Sequence, residues 1–132
     1  MFLLDTDILI YSLKGMETVV QNLENHQEDY LCISVVSLME LYYGAFKSEK
    51  KTANLAKARR IEENFDILPV DFSVAETFGM IKSDLESKGL PLDDFDLIIA
   101  ASALTSNLIL VTNNQKHFSR IEGLKLHNWV SV

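Results

Sequence analysis

Residues 1–15 read MFLLDTDILIYSLKG, and the order of events in this stretch decides the fold. Phe2, Leu3 and Leu4 form a short apolar run that ends on an acid, Asp5. Residues 7–14 then have helical composition, and Gly15 separates them from a second helical stretch, 17–25. A short, wholly apolar strand that hands over to a helix suits a sheet buried on both faces. The step repeats along the chain. YLCIS at 30–34 reads as a strand, and Ser34 or Ser37 as the cap of a helix running to about Ala45. Residues 50–64 have helical composition, and FDILPV at 65–70 is a strand closed by Pro69. A helix over 73–87 ends at Gly89. Pro91 and the pair Asp93-Asp94 precede a helix over 94–106. LILVT at 108–112 is a strand, and LKLHNW at 124–129 is the last. Alternation of this kind predicts an α/β fold with a mostly parallel sheet of about five strands. In such sheets ligands bind beyond the carboxyl ends of the strands, where the strand order switches.

The 132 residues, 48% apolar, fit one domain, 1–132, with a substantial core. No apolar run approaches the ~18 residues of a membrane span. The first residues carry acids and no basic lead, unlike a secretory signal. The single cysteine, Cys32, lies in an apolar strand and reads as a buried, inert thiol, which fits a reducing cytoplasm. A net charge of −7 argues against passive coating of nucleic acid but not against an enzyme whose acids hold a metal ion. Lys47, Lys50, Lys51, Lys57, Arg59 and Arg60 crowd one segment. A solvated helix face accounts for them; an RNA- or partner-facing patch is the alternative.

Three acids stand where acids are expensive. Asp5 ends the first strand, Glu40 sits among Leu38, Met39, Leu41 and Tyr42, and Asp96 opens the apolar helix DLIIAASAL. Each has a plain structural reading. Asp5 or Thr6 can cap the next helix; Ser37-x-x-Glu40 matches a capping box; Asp93-x-x-Asp96 resembles a capping pair. Together they are more informative, because the fold can bring all three to one sheet edge. Two carboxylates ~4 Å apart repel by roughly 4 kcal/mol at an effective dielectric near 20. A divalent cation removes that cost, and oxygen-only donors select Mg²⁺ or Mn²⁺ rather than Zn²⁺. His26, His117 and His127 are scattered without zinc spacing, and His26 and His127 read as surface residues.

With these segments in view, the chain resembles the PIN-domain ribonucleases, and among them the VapC-type toxins of toxin–antitoxin pairs. The resemblance covers essentially the whole length. It rests on LLDTDILI, ISVVSLMELYYGA, GLPLDDFDLIIAASA and LILVTNNQKHFSRIEGLKLHNW in this order. It implies a three-layer α/β/α sandwich and one PIN-like nuclease domain. It also implies Mg²⁺-dependent RNA cleavage by metal-activated water, with Mn²⁺ able to substitute. A VapB-type antitoxin that blocks the site and a homodimer are implied as well. Asp5, Glu40 and Asp96 match the first three family acids, each a catalytic and metal-binding residue, Glu40 directly or through water. Thr6 and Thr112 support them, Thr112 matching the hydroxyl residue that closes the fourth strand. Asn114 falls where many relatives have a fourth acid and is a weak or water-mediated ligand; Asp7 is a candidate to supply the missing charge, with helix capping as the simpler role. Lys82 falls where relatives often carry a basic residue, a role in holding RNA phosphate. Leu13, Leu41, Tyr42 and Tyr43 are candidates for the antitoxin face, and Trp129 for packing the last strand. Two other readings remain: a catalytically weak or inactive PIN-fold binding protein, and a haloacid-dehalogenase-type phosphohydrolase whose D-x-D would be Asp5-Thr6-Asp7.

Overall fold

A computed structural model describes residues 1–131. Strand β1 (Phe2–Leu4) leads into α1 (Thr6–Leu13) and α2 (Glu17–Asn25), and β2 (Leu31–Ser34) into α3 (Val35–Lys47) and α4 (Lys51–Asn64). Next come β3 (Asp66–Leu68), α5 (Phe72–Ser87) and α6 (Asp94–Thr105), then β4 (Ile109–Val111), α7 (Gln115–Phe118) and β5 (Leu126–His127). The strands stand in the order β3-β2-β1-β4-β5, and every pairing is parallel. Leu3 lies opposite Cys32 of β2 on one side and Leu110 of β4 on the other. The chain works outward from β1 to β3, then crosses back to place β4 on the other side of β1. The strand order therefore switches between β1 and β4, and the crevice at their carboxyl ends is where a ligand fits.

The period of two along each strand separates two cores. Leu3, Cys32 and Leu110 face α5 and α6, packing with Val74, Ile81, Leu85 and Ile99. Phe2, Leu4, Ile33 and Val111 face the opposite layer, with Ile8, Val19, Leu38 and Ile61. These are the three layers of an α/β/α sandwich. Helix α6 is buried along most of its length, as its composition predicts: Leu97, Ile99, Ala100, Ala101 and Ala103 are all inaccessible. Its small residues let it lie close against the sheet, which carries Asp96 to the switch point.

Helix ends follow local chemistry. Gly15 and Gly89 take left-handed backbone (φ 76° and 69°) just past α1 and α5. After each, paired backbone bonds close the last turn: Met16 N donates to Tyr11 O and Gly15 N to Ser12 O, with Leu90 to Leu85 and Gly89 to Glu86 repeating the pattern. Asn107 closes α6 in the same way at φ 52°. Some details depart from the sequence expectations. The strands at 65–70 and 124–129 shorten to Asp66–Leu68 and Leu126–His127, and α7 was not expected. Trp129 is buried past the end of β5, stacked on the His26 ring at 4.7 Å and tilted against Phe2. His26, expected at the surface, is half-buried between the Trp129 and Phe2 rings.

Leu3 is inaccessible on the central strand. Leu3→Ala should lower unfolding free energy by about 2–5 kcal/mol in urea denaturation. Asp71 caps α5 by accepting from Val74 N at 3.1 Å, and Asp71→Ala should cost only about 1 kcal/mol.

Candidate active site

The switch point is built around Asp5. Its backbone N donates to Val111 O, continuing the β1–β4 ladder by one residue. The carboxylate then turns in: Oδ1 accepts from Thr6 N and Oδ2 from Thr112 Oγ1, each at 2.8 Å. Asp5 thus caps α1 and is only 6% exposed. Asn114 N donates to Thr112 Oγ1 at 3.0 Å, which leaves the hydroxyl proton for Asp5. Thr112 is fully buried and serves as a fixed relay between the β4 lip and the first acid.

Glu40 arrives from α3. The helix is capped by Ser34, whose Oγ accepts from Val36 N, so the box proposed for Ser37 and Glu40 does not form. Both side chains instead face Thr6. Thr6 Oγ1 lies 2.8 Å from Glu40 Oε1 and 2.8 Å from Ser37 Oγ. A hydroxyl has one proton and a carboxylate has none to give. Thr6 therefore donates to the Glu40 carboxylate and accepts from Ser37. Ser37 is a member of the site that the capping signal concealed.

Asp96 lies in the first turn of α6, where Asp93 is the cap, accepting from Phe95 N. Asp96, half-buried, is therefore not needed as the cap. Burial and then repulsion from Asp93 and Glu40 push its carboxyl up to about 6, while His117 pulls it down. Asp5 is pushed up to about 7 by burial first and by Asp7 second, with a smaller push from Asp96; its bonds from Thr112 and Thr6 oppose the rise. Asp7 is also raised, by burial, against backbone bonds that hold it down. The pushes of Asp7 and Asp96 on Asp5, and of Glu40 and Asp7 on Asp96, put these four acids in one neighbourhood. Asp7 is not the cap of α1. Its Oδ2 accepts from Asn113 N at 3.0 Å, across to the β4 lip, and its buried Oδ1 has no hydrogen-bond partner.

Asn114 stands on that lip with its Nδ2 2.8 Å from His117 Nδ1. His117 looked scattered in the sequence; α7, too short for a periodic signal, brings it to the rim. Lys82 is half-exposed and ion-paired with Asp94 at 2.9 Å, two residues from Asp96. A groove of about 490 Å³ runs from Glu40 between α1, α3 and α4, lined by Ile10, Leu13, Lys14, Leu41 and Lys57 among others. Two of the four residues named for the antitoxin face, Leu13 and Leu41, therefore share one groove. Tyr42 turns to α4 and donates to Glu62, while Tyr43 is exposed.

The donor chemistry fits a hard divalent cation: the groups are all oxygens, there is an orphaned carboxylate oxygen, and the acids repel one another. Among the described residues, no three carboxylate, imidazole or thiol side chains converge closely enough to enclose one ion. A cation held here keeps part of its water shell, as Mg²⁺ commonly does.

A carboxyl raised on folding binds its proton more tightly in the folded chain than in the unfolded one. Stability then falls as pH rises from about 4 through about 7, and the loss is complete above that. Asp5 contributes on the order of a few kcal/mol to this loss. Metal-stripped protein should melt lower at pH 8 than at pH 5. Asp5→Asn should flatten that difference, and Mn²⁺ at pH 8 should restore the melting temperature of the unaltered chain. A melting temperature that does not fall between pH 5 and 8 would contradict this account of Asp5.

Residues 2–124 match the PIN domain family. A Shigella flexneri protein named tRNA(fMet)-specific endonuclease VapC is 39% identical over 128 residues, covering 97% of both chains. The Rickettsia felis protein Ribonuclease VapC2 is 40% identical over 132 residues, again covering 97% of both. Among solved structures, VapBC2 from Rickettsia felis bound to a DNA fragment from its promoter superimposes with a TM-score of 0.92 at 36% identity, covering 97% of this chain and 98% of that one. With the acids at the switch point and this agreement over nearly the full length, the chain belongs to the PIN-domain family.

Proposed function

We propose that the chain is a metal-dependent endoribonuclease and the toxin of a type II toxin–antitoxin pair. The observation that carries this reading is the arrival of Asp5, Glu40 and Asp96 from three different elements at one sheet edge, each leaving its helix-capping role either shared or unused. Relatives named as VapC ribonucleases support the reaction, and VapBC complexes support the partner. Asp5 and Asp96 would hold one Mg²⁺ or Mn²⁺, with Glu40 directly or through water and Asn114 weakly or through water. When bound, such an ion polarises a phosphoryl oxygen and makes water a competent nucleophile near neutral pH. The chain's own contribution is orientation. Thr112 and Thr6 N hold the two Asp5 oxygens, Thr6 Oγ1 holds Glu40, and the cap at Asp93 frees Asp96. Lys82 offers RNA phosphate a cation at the rim, already held at Asp94.

The groove beside Glu40 suits an apolar segment of a VapB-type antitoxin, which would close the site by occupying its approach. A second copy of the chain completes the proposed assembly. No helix among the described residues is long and apolar enough to cross a membrane. Asp5 has both oxygens engaged in hydrogen bonds, which suits a fixed ligand better than the attacking aspartate of a haloacid-dehalogenase. An inert PIN-fold binding protein is the second reading; the neutral Asn114 taken alone suggests it, and the Asp7 carboxylate held at the adjacent Asn113 N answers it.

Purified protein with Mg²⁺ should cut RNA to leave 5′-phosphate and 3′-hydroxyl ends, read by end-specific ligation and sequencing. Asp96→Asn should lower the rate by on the order of 100-fold or more, as loss of a group acting on transition-state charge does. Ends bearing 2′,3′-cyclic phosphate would rule out the water mechanism, and an inert protein that still binds its partner would favour the second reading. Asn114→Asp should tighten Mn²⁺ binding in calorimetric titration and lower the melting temperature of the metal-free chain. Unchanged affinity and stoichiometry would remove Asn114 from the ligand set.

A further inference from the structure

A second hollow, of about 540 Å³, adjoins the groove and shares Ile10 and Glu40 with it. It is lined by Thr6, Ile10, Met39, Glu40, Tyr43 and Phe95. Thr6 and Glu40 belong to the carboxylate cluster, so the hollow is continuous with it. Its remaining walls are apolar and wet: Tyr43 is 67% exposed, Met39 51% and Phe95 38%. Met39 and Tyr43 are one helical turn apart on α3, and Phe95 immediately precedes Asp96 on α6. No packing need within the chain keeps two aromatic rings at this rim. Exposed apolar surface gathered beside a polar centre marks a contact site.

We propose that this hollow is a base-binding site, which takes one unstacked base of the RNA strand next to the bond that is cut. The proposal rests on the nuclease reading above. Charge around the hollow decides between a base and an apolar peptide as its occupant. Lys47 Nζ stands 5.7 Å from the centre of the Tyr43 ring. Lys14 and Lys57 line the adjoining groove, which shares Ile10 and Glu40 with the hollow. Lys82 is held at Asp94, the residue before Phe95. The hollow's own lining carries one acid, Glu40, and no cation, but Lys47, Lys14 and Lys57 beside it are in no ion pair among the described residues, and in a chain of net charge −7 such free cations next to an aromatic slot complement a phosphodiester backbone. Aromatic faces flanked by cations are the means by which single-stranded RNA is bound with its bases unstacked. The tyrosine and phenylalanine faces take the base, and the lysines take the phosphates on either side. The strand is thereby held with its backbone at the acids.

The test uses an oligoribonucleotide spanning a bond that the wild-type protein cuts in total RNA with Mn²⁺ present. Tyr43→Ala and Phe95→Ala should each raise KM on the order of 5- to 100-fold while kcat stays close to wild type. Tyr43→Phe should keep the wild-type KM. Removing the base at one position beside the cut should raise KM for the wild type and have no further effect on the two alanine variants. Mn²⁺ affinity and the mass in solution, read by calorimetry and light scattering, should be unchanged in both. An unchanged KM in both alanine variants would overturn the proposal and leave the nuclease reading intact. A change of oligomeric state in either variant would show that the face holds protein, and would also overturn it. RNA left uncut by the wild-type protein would remove the nuclease reading and this proposal with it.

Discussion

The hydrogen bond from Thr112 Oγ1 to Asp5 Oδ2 ties the ends of β4 and β1 together, and much of the molecule is arranged around it. A carboxylate that is 6% exposed must have its oxygens satisfied, or it costs more than the fold can spare. One donor is local, the Thr6 backbone N–H at the start of α1. The other has to come from 107 residues away, so β4 must lie beside β1 and must end on a hydroxyl. A parallel neighbour requires a crossover, which here brings α5 and α6 across one face. The same crossover delivers Asp96. One buried acid thus links the strand order, the position of the apolar helix and the composition of the β4 lip.

The cluster that results works against folding. Asp5, Asp7 and Asp96 all have carboxyls raised by burial, and Asp7 adds to the rise of the other two. The two ion pairs among the described residues, Lys82 with Asp94 and Lys88 with Asp84, lie on exposed surface and engage none of these three acids. Hydrogen bonds from Thr6, Thr112 and the Asn113 N–H soften the penalty without cancelling it. Local rules of charge placement are broken here while they are kept at helix ends and in both cores. Such breaks concentrate at functional sites. A cation held there would turn the same repulsion into affinity and would couple its binding to stability.

The fold was legible because its signals are dense and local. Short apolar strands, glycines after α1 and α5, and the apolar run of α6 each state their role within a few residues. The acids were legible only as a set, since Asp5, Glu40 and Asp96 each sit where a cap also fits. Ser34 and Ser37 show the limit: both precede an apolar helix, and choosing between them needs the β2 end point. Ser37 and Asp7 act through partners 31 and 106 residues distant, which no local pattern encodes. His117 rides on a four-residue helix, too short for periodicity. His26 was misplaced for a related reason, because its stacking partner, Trp129, comes from the other end of the chain.

At the β4 lip, charge comes from the neighbourhood and not from position 114. The side chain on the β4 lip is neutral, but the carboxylate of Asp7 reaches from α1 to the adjacent residue, Asn113, and accepts from its backbone N–H. The lip is therefore both fixed and charged by a group that belongs to another element. Asp7 acts on Asp5 and on Asp96, so its charge is felt by the acids themselves. Its second oxygen is buried without a partner, which is expensive unless a cation or a proton answers it. Counted by neighbourhood, Asp5, Asp7, Glu40 and Asp96 make four carboxylates, even though the lip itself carries none. A neutral residue at 114 is then no sign of a disabled centre, because the charge that would set the affinity for a cation belongs to the crevice as a whole.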